Sequence, residues 1–301
     1  MQVNDAAFSA CLSLLPESLR GAVQTASGTR SERWEEIRLR TGRGLSLADE
    51  RGEQMISIPE TVDERDLRAV LERATRASYQ SAAEQLSRGF YTLKGGHRIG
   101  VSGAVYRNEQ GKAAFRELSS LCIRIARPCP GIAHPLRRSL LEGSRFPSTL
   151  ILAPPGAGKT TLLREVIRLL SDECGLRTAI ADERGEVAAL WHGAPQMDVG
   201  RRTDVLDGIP KAEGLLMLLR SMTPQVLAAD EVTDPADVSA LSAASNCGVS
   251  LLATAHGGSL EELKRRSVSR TLLEEHIFQR LILIERNADG FRHYRMEPFP
   301  C

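Results

Sequence analysis

Lys159, Thr160, Asp230, Glu231 and His256 are the side chains whose types and spacing could do chemistry together. Lys159 and Thr160 close the stretch Ala153-Pro154-Pro155-Gly156-Ala157-Gly158-Lys159-Thr160-Thr161. Glycines let backbone N–H groups curl around phosphate oxygens with no Cβ in the way. A helix beginning at the Lys-Thr pair would add partial positive charge. Pro155, Gly156, Ala157, Gly158, Lys159, Thr160 and Thr161 are therefore the expected nucleotide contacts. Lys159 reaches for the β- and γ-phosphates, and Thr160 offers a hydroxyl to Mg²⁺. Ala153 stands where the usual phosphate-loop pattern begins with glycine, a position that accepts small residues.

Asp230-Glu231 follows the apolar run Val226-Leu227-Ala228-Ala229. Asp230 is placed to hold Mg²⁺ with Thr160, and Glu231 to orient and deprotonate a water attacking the γ-phosphate. His256, at the end of Thr254-Ala255-His256, could donate to that phosphate or report its presence. Asp182 and Glu183, in Asp182-Glu183-Arg184-Gly185-Glu186, could support the metal or the water. Arginines form a further group: Arg98, Arg124 and Arg127 early in the chain, Arg201, Arg202 and Arg220 later. A guanidinium on developing phosphate charge is worth on the order of 10³ or more in rate. Each of these residues also has a plainer reading, as a helix start, a structural histidine or a solvated arginine.

Such groups need a sheet that delivers them to one edge. The second half alternates apolar runs with helical spacing. Candidate strands are Leu150–Leu152, Thr178–Ala181, Val226–Ala229 and Val249–Ala253. Candidate helices are Thr160–Leu170, Ala212–Met222, Pro235–Asn246 and Leu260–Arg266. That pattern is a parallel sheet with covering helices, and its ligands belong at the C-terminal ends of the strands. The end of the chain, Ile277–Glu285 then Phe291–Met296, reads as a hairpin turning at Asn287–Gly290.

The first half reads differently. Residues 8–26 are helical with a break at Pro16. Trp34–Arg40 and Leu45–Leu47 form a strand pair. Thr61–Glu64 begins a helix, and Ala82–Arg88 is a second. Strands follow in Gly95–Tyr106, with turns at Gly95-Gly96 and Asn108–Gly111, and in Leu121–Arg127. Pro, Gly and basic residues collect over Gly131–Pro147, so the boundary falls there, with a short linking helix. The expected domains are 1–140, an α/β regulatory and oligomerisation domain, and 141–301, the ATPase domain.

Composition narrows the classes. Among 301 residues, 39 Lys+Arg stand against 38 Asp+Glu, and aromatics make up 4%. A protein that grips nucleic acid by charge and base stacking is disfavoured. The six cysteines include no C-x-x-C pair, which suits reduced thiols in a cytoplasmic protein. The opening residues lack a basic n-region, and no apolar run reaches the length of a membrane span. Any membrane attachment is expected to be peripheral, through a partner.

Longer strings carry a resemblance. The phosphate loop, Ile180-Ala181-Asp182-Glu183-Arg184, Leu219-Arg220 with Thr223-Pro224, Asp230-Glu231 and Thr254-Ala255-His256 occur in the order of the type II/IV secretion (traffic) ATPases. Within that superfamily the chain is similar to the stage III sporulation family. The strings are Gly95–Gly100, Ile123–Arg127, Pro195–Gly200, Arg202–Gly208, Pro210–Gly214 and Leu218–Met222. The resemblance implies a RecA-like P-loop NTPase domain behind a smaller N-terminal α/β (α+β) domain. It implies ATP and Mg²⁺, and hydrolysis coupled to closure of the N-terminal domain in a homo-oligomeric, hexameric ring. It also implies membrane-protein partners in a sporulation channel or secretion complex between mother cell and forespore. Arg98, Arg124 and Arg127 fall where the family's N-terminal domain meets nucleotide. Gln225, Thr233 and Cys122 depart from the pattern at positions where the family has Asp, Arg and Asn; the first two bear on coupling between subunits. Two other functions compete: a RecA-like motor or binder acting on single-stranded DNA or RNA, and a nucleotide-bound scaffold without turnover.

Overall fold

The computed structural model describes residues 5–299 apart from 30, 59–60, 77–78, 110, 266 and 287–291. The turn expected at Asn287–Gly290 lies outside the described residues, and the turn at Asn108–Gly111 is described in part. The chain divides into two compact units, Met1–Arg127 and Pro128–Cys301.

The first unit runs α1 (Ala6–Leu12), α2 (Glu17–Ser27), β1 (Glu36–Arg40), β2 (Leu45–Asp49), β3 (Gly52–Ile56), α3 (Glu64–Thr75), α4 (Tyr79–Ser87), β4 (Phe90–Thr92), β5 (Arg98–Arg107) and β6 (Ala113–Arg124). The strands form one antiparallel sheet in the order β3-β2-β1-β6-β5-β4. Period-2 alternation puts Ile37 and Leu39 of β1, and Leu121 and Ile123 of β6, on one buried face. Leu19 and Val23 of α2 and Leu67 and Val70 of α3 join them in a single core. The start of α3 is fixed by a reciprocal cap, Asp63 on the Asp66 amide and Asp66 on the Asp63 amide. The β5–β6 ladder slips at Gly103, where a Cβ would lie 1.9 Å from the Glu117 carbonyl oxygen. Only glycine fits that bulge.

The second unit continues with β7 (Thr149–Ala153), α5 (Lys159–Asp172), β8 (Thr178–Asp182), β9 (Leu190–Trp191), β10 (Ala194–Pro195), β11 (Thr203–Asp207), α6 (Lys211–Ser221), β12 (Val226–Ala229), α7 (Pro235–Asn246), β13 (Ser250–His256), α8 (Leu260–Arg265), α9 (Ser267–Glu274), β14 (Arg280–Arg286) and β15 (Arg292–Pro298). Its main sheet has the order β11-β8-β12-β13-β7-β14-β15, parallel except for the antiparallel edge strand β15. Strands β7, β8 and β12 are buried along their whole length, as a sheet covered on both faces requires. Leu162, Val166, Ile167 and Leu170 of α5 cover one face. Leu215 and Leu218 of α6, Val238 and Leu241 of α7, and Leu272 of α9 cover the other.

The second unit begins earlier than the sequence reading places it. Ala133, Leu136, Leu140 and Phe146 are buried in the same core cluster as α5, so Gly131–Pro147 packs as part of this unit and not as a linker. The 3₁₀ turn His134–Ser139 is the short helix expected there. Several elements escaped the sequence reading: β3, whose outer residues are exposed; the half-buried edge strand β11; α9, beyond the helix expected at Leu260–Arg266; and the short strands β4, β9 and β10. Among the described residues no helix is long and apolar enough to cross a membrane.

Candidate nucleotide site

Four neighbouring parallel strands, β8, β12, β13 and β7, release their polar residues at one edge of the sheet. The loop after β7 turns through Gly156 at φ 73° and Gly158 at φ 96°, the latter capping α5. A positive φ is cheap for glycine and lets the loop fold back onto the helix start. Lys159 opens α5 and is buried. Its Nζ donates to the carbonyl oxygens of Ala153 at 2.9 Å and Pro154 at 3.0 Å, and to His256 Nδ1 at 2.9 Å. Burial lowers the Lys159 pKa, against the pull of the Glu231 and Asp230 carboxylates.

Asp230 joins the acidic pair to the loop. Its Oδ2 accepts from Thr160 Oγ1 at 2.7 Å, and its Oδ1 from Thr254 Oγ1 at 2.6 Å. These bonds span strands β12, β13 and the first turn of α5. Thr160 and Asp230 thus present two hard oxygens side by side. That donor set fits Mg²⁺, which takes one or two protein oxygens and fills its shell with water and phosphate.

Glu231 adopts φ 52°, a left-handed conformation that costs a non-glycine residue about 1–3 kcal/mol. Four contacts hold it there. Its amide donates to Thr254 Oγ1 at 2.8 Å and its carbonyl accepts from Lys211 Nζ at 2.5 Å. Its Oε1 meets His256 Nε2 at 2.9 Å, and its Oε2 accepts from Arg184 Nη1 at 2.6 Å. Because Lys159 donates to Nδ1, His256 carries its proton on Nε2 and donates to Glu231. Lys159, His256, Glu231 and Arg184 therefore form one continuous chain of hydrogen bonds.

The Asp182–Glu186 cluster divides in two. Asp182 is buried, and its carboxylate accepts from the amides of Glu186, Val187 and Ala188 at 2.8–3.2 Å. Burial raises its pKa, and the three amides oppose that rise. Arg164 of α5 donates to the carbonyls of Val187 and Glu186 at 2.6 and 2.8 Å, so the same loop is gripped from its other side. In the structure Asp182 fixes the loop that carries Arg184; the expectation that it supports metal or water directly does not match these contacts. Glu183 is half exposed, 3.9 Å from Lys211.

The three candidate arginines of the first unit, Arg98, Arg124 and Arg127, each have a partner inside it. Arg127 donates to Asp5 Oδ2, the Trp34 carbonyl and the Ser31 carbonyl at 2.6, 2.7 and 3.1 Å. That is the work of a scaffold. Arg124 pairs with Glu36 at 3.3 Å, and Arg98, its neighbour across the β5–β6 ladder, lies 3.7 Å over the Phe90 ring. In the second unit Arg202 donates to the Ser171 carbonyl. Lys211, Arg184 and Thr254 are the members of the acidic site that sequence reasoning left without a role. Lys211 sat in a quoted string, but a lysine at a helix start gives no sign that it will be buried.

Comparison with known proteins follows the same lines. The family described as sporulation stage III, protein AA matches residues 9–293. Stage III sporulation protein AA of Bacillus subtilis (strain 168) is 39% identical over 277 residues, 91% of this chain and 89% of that protein. Among solved structures, the ATPase DotB of Yersinia pseudotuberculosis superposes with TM-score 0.61 at 15% identity, over 95% of this chain and 81% of that one. The pilus retraction motor PilT, solved with bound ADP, gives TM-score 0.57 at 14% identity, over 93% and 81%. At such identities the likeness is one of fold: a RecA-like P-loop NTPase fold, preceded in sequence by a smaller α+β domain.

Proposed function

This chain belongs to the sporulation stage III protein AA family, and we propose that it is an ATPase powering assembly of, or transport through, a membrane-associated secretion complex during sporulation. The observation that carries this reading is the 2.7 Å bond between Thr160 and Asp230, with Glu231 tied to Lys159 through His256. Phosphate loop, metal-side oxygens and base thus converge from separate strands. The loop amides and Lys159 bind the triphosphate. Thr160 and Asp230 hold Mg²⁺, which when bound neutralises charge on the β- and γ-oxygens. Glu231 aligns a water for attack on the γ-phosphorus and takes its proton. A γ-phosphate drawing Lys159 away from His256 also frees one end of the Glu231 hydrogen-bond chain. Occupancy of the loop is thereby linked to the base.

The acting form is a homo-oligomeric ring, by heterologous contact between copies, on the cytoplasmic side of membrane partners. Mg²⁺-dependent ATP turnover by the full chain tests the site. Lys159→Ala and Glu231→Gln should each lower it at least a hundredfold. Turnover unchanged in both would remove the assignment. Light scattering tests the ring separately, and a monomer with and without nucleotide would remove it.

A further inference from the structure

The nucleotide site includes a side chain from the far end of the sequence. β14 lies parallel beside β7, with Leu283 level with Leu152. Its last residues run past the point where the phosphate loop leaves β7. β15 returns antiparallel from there, opening with Arg292 opposite Arg286. Arg292 therefore starts its strand at the edge where the loop sits. Its guanidinium lies against the last glycine of the loop. A Cβ built on Gly158 would stand 3.2 Å from Arg292 Cζ and Nε and 3.4 Å from Nη2.

We propose that Arg292 is a nucleotide-binding residue, closing on the diphosphate group of a nucleoside di- or triphosphate held at the loop that Gly158 ends. This inference rests on the nucleotide reading above and adds a ligand to it. Among the described residues Arg292 has no ion-pair partner. The glycine it lies against caps the positive end of a 14-residue helix whose first residue is Lys159. Two cations and a helix N-terminus repel one another unless an anion lies between them. Phosphate oxygens satisfy all three, and the planar fork of arginine meets them in pairs. The side chain is exposed, so it can swing from the loop onto an incoming phosphate without disturbing the core.

The test is equilibrium binding of Mg·ADP to the full chain, comparing wild type with R292Q and R292K. R292Q should bind about tenfold more weakly or worse, the loss expected of charge-assisted hydrogen bonds. R292K, with charge but no fork, should fall between. The salt dependence of binding should be shallower in R292Q than in wild type, and adenosine binding should not change. A purely structural role for Arg292 would move none of the salt dependence. R292Q binding Mg·ADP within twofold of wild type overturns this inference while leaving the site assignment intact. Wild type failing to bind Mg·ADP at all sinks both. Should R292Q fold poorly, R292K decides, and wild-type affinity there is the refuting result.

Discussion

Replacing Lys211 with methionine is the sharpest test of how the acidic pair is held. The substitution keeps an unbranched stem of similar size and removes the ammonium. Lys211 is buried, with 7% of its side chain exposed, and its Nζ lies 3.3 Å from Asp237 Oδ2 and 2.5 Å from the Glu231 carbonyl oxygen. Removing one partner of a buried ion pair costs about 3–5 kcal/mol. Here Asp237 keeps the amides of Thr233 and Asp234, each at 3.2 Å, as donors. The cost should therefore fall to about 2–3 kcal/mol, most of it for the orphaned Glu231 carbonyl and the unneutralised Asp237. For a domain of this size that is a fall in Tm of about 5–10 °C by differential scanning calorimetry. The strained Glu231 backbone also loses one of its two main-chain anchors, leaving only the amide bond to Thr254. ATP turnover should drop about tenfold or more, with KM nearly unchanged because the phosphate loop is untouched. A K211M protein that melts within about 1 °C of wild type and turns over ATP at the wild-type rate would refute this account of Lys211.

Other consequences can be checked independently. In D182N the Asn amide group would face three backbone amides, costing about 1–3 kcal/mol; hydrogen exchange at Glu186, Val187 and Ala188 should speed up, and unchanged protection there would show that Asp182 does not hold the loop. Hydrogen bonds from Arg40 and Ser46 lower the Glu53 pKa from 4.5 to about 2. A depressed carboxylate contributes stability above its unfolded pKa and loses it as pH falls through the folded one. Stability of the β2–β3 edge should therefore decline between pH 4.5 and about 2 in wild type, and less so in E53Q; identical acid profiles would contradict this. Burial pushes the Cys11 thiol up to about 12, while Cys129 and Cys247 are exposed. Site-resolved alkylation near pH 8 should label the latter two in the native protein and Cys11 only on unfolding. Early labelling of Cys11 would show that the α1 packing is not maintained.

Much of the second unit was legible because its signals are local. The phosphate loop, the apolar runs of β7, β8, β12 and β13, and the acidic pair after β12 each declare themselves within a few residues. A strand buried on both faces must be apolar throughout, and its end must be polar, so strand and site residue are read together. Half-exposed edges carry no such run, which is why β3 and β11 were missed. The boundary shifted for a related reason: Pro and Gly mark Gly131–Pro147 as irregular, yet the spaced apolar residues Ala133, Leu136, Leu140 and Phe146 are enough to bury it against α5.

The sequence by itself determined which groups are on offer: the amides of a glycine-rich turn, the oxygens of Thr160 and Asp230, the carboxylate of Glu231. Only the tertiary structure decided how those groups are restrained. Glu231 adopts a left-handed backbone because Lys211 and Thr254 hold its two main-chain groups. Asp182 serves the loop because three amides surround it. Arg292 meets Gly158 because β15 returns beside β14 at the loop's edge of the sheet. Residue type sets what a group can donate or accept. Which partner it finds depends on strand order and register, and those are fixed by packing between residues far apart in the chain.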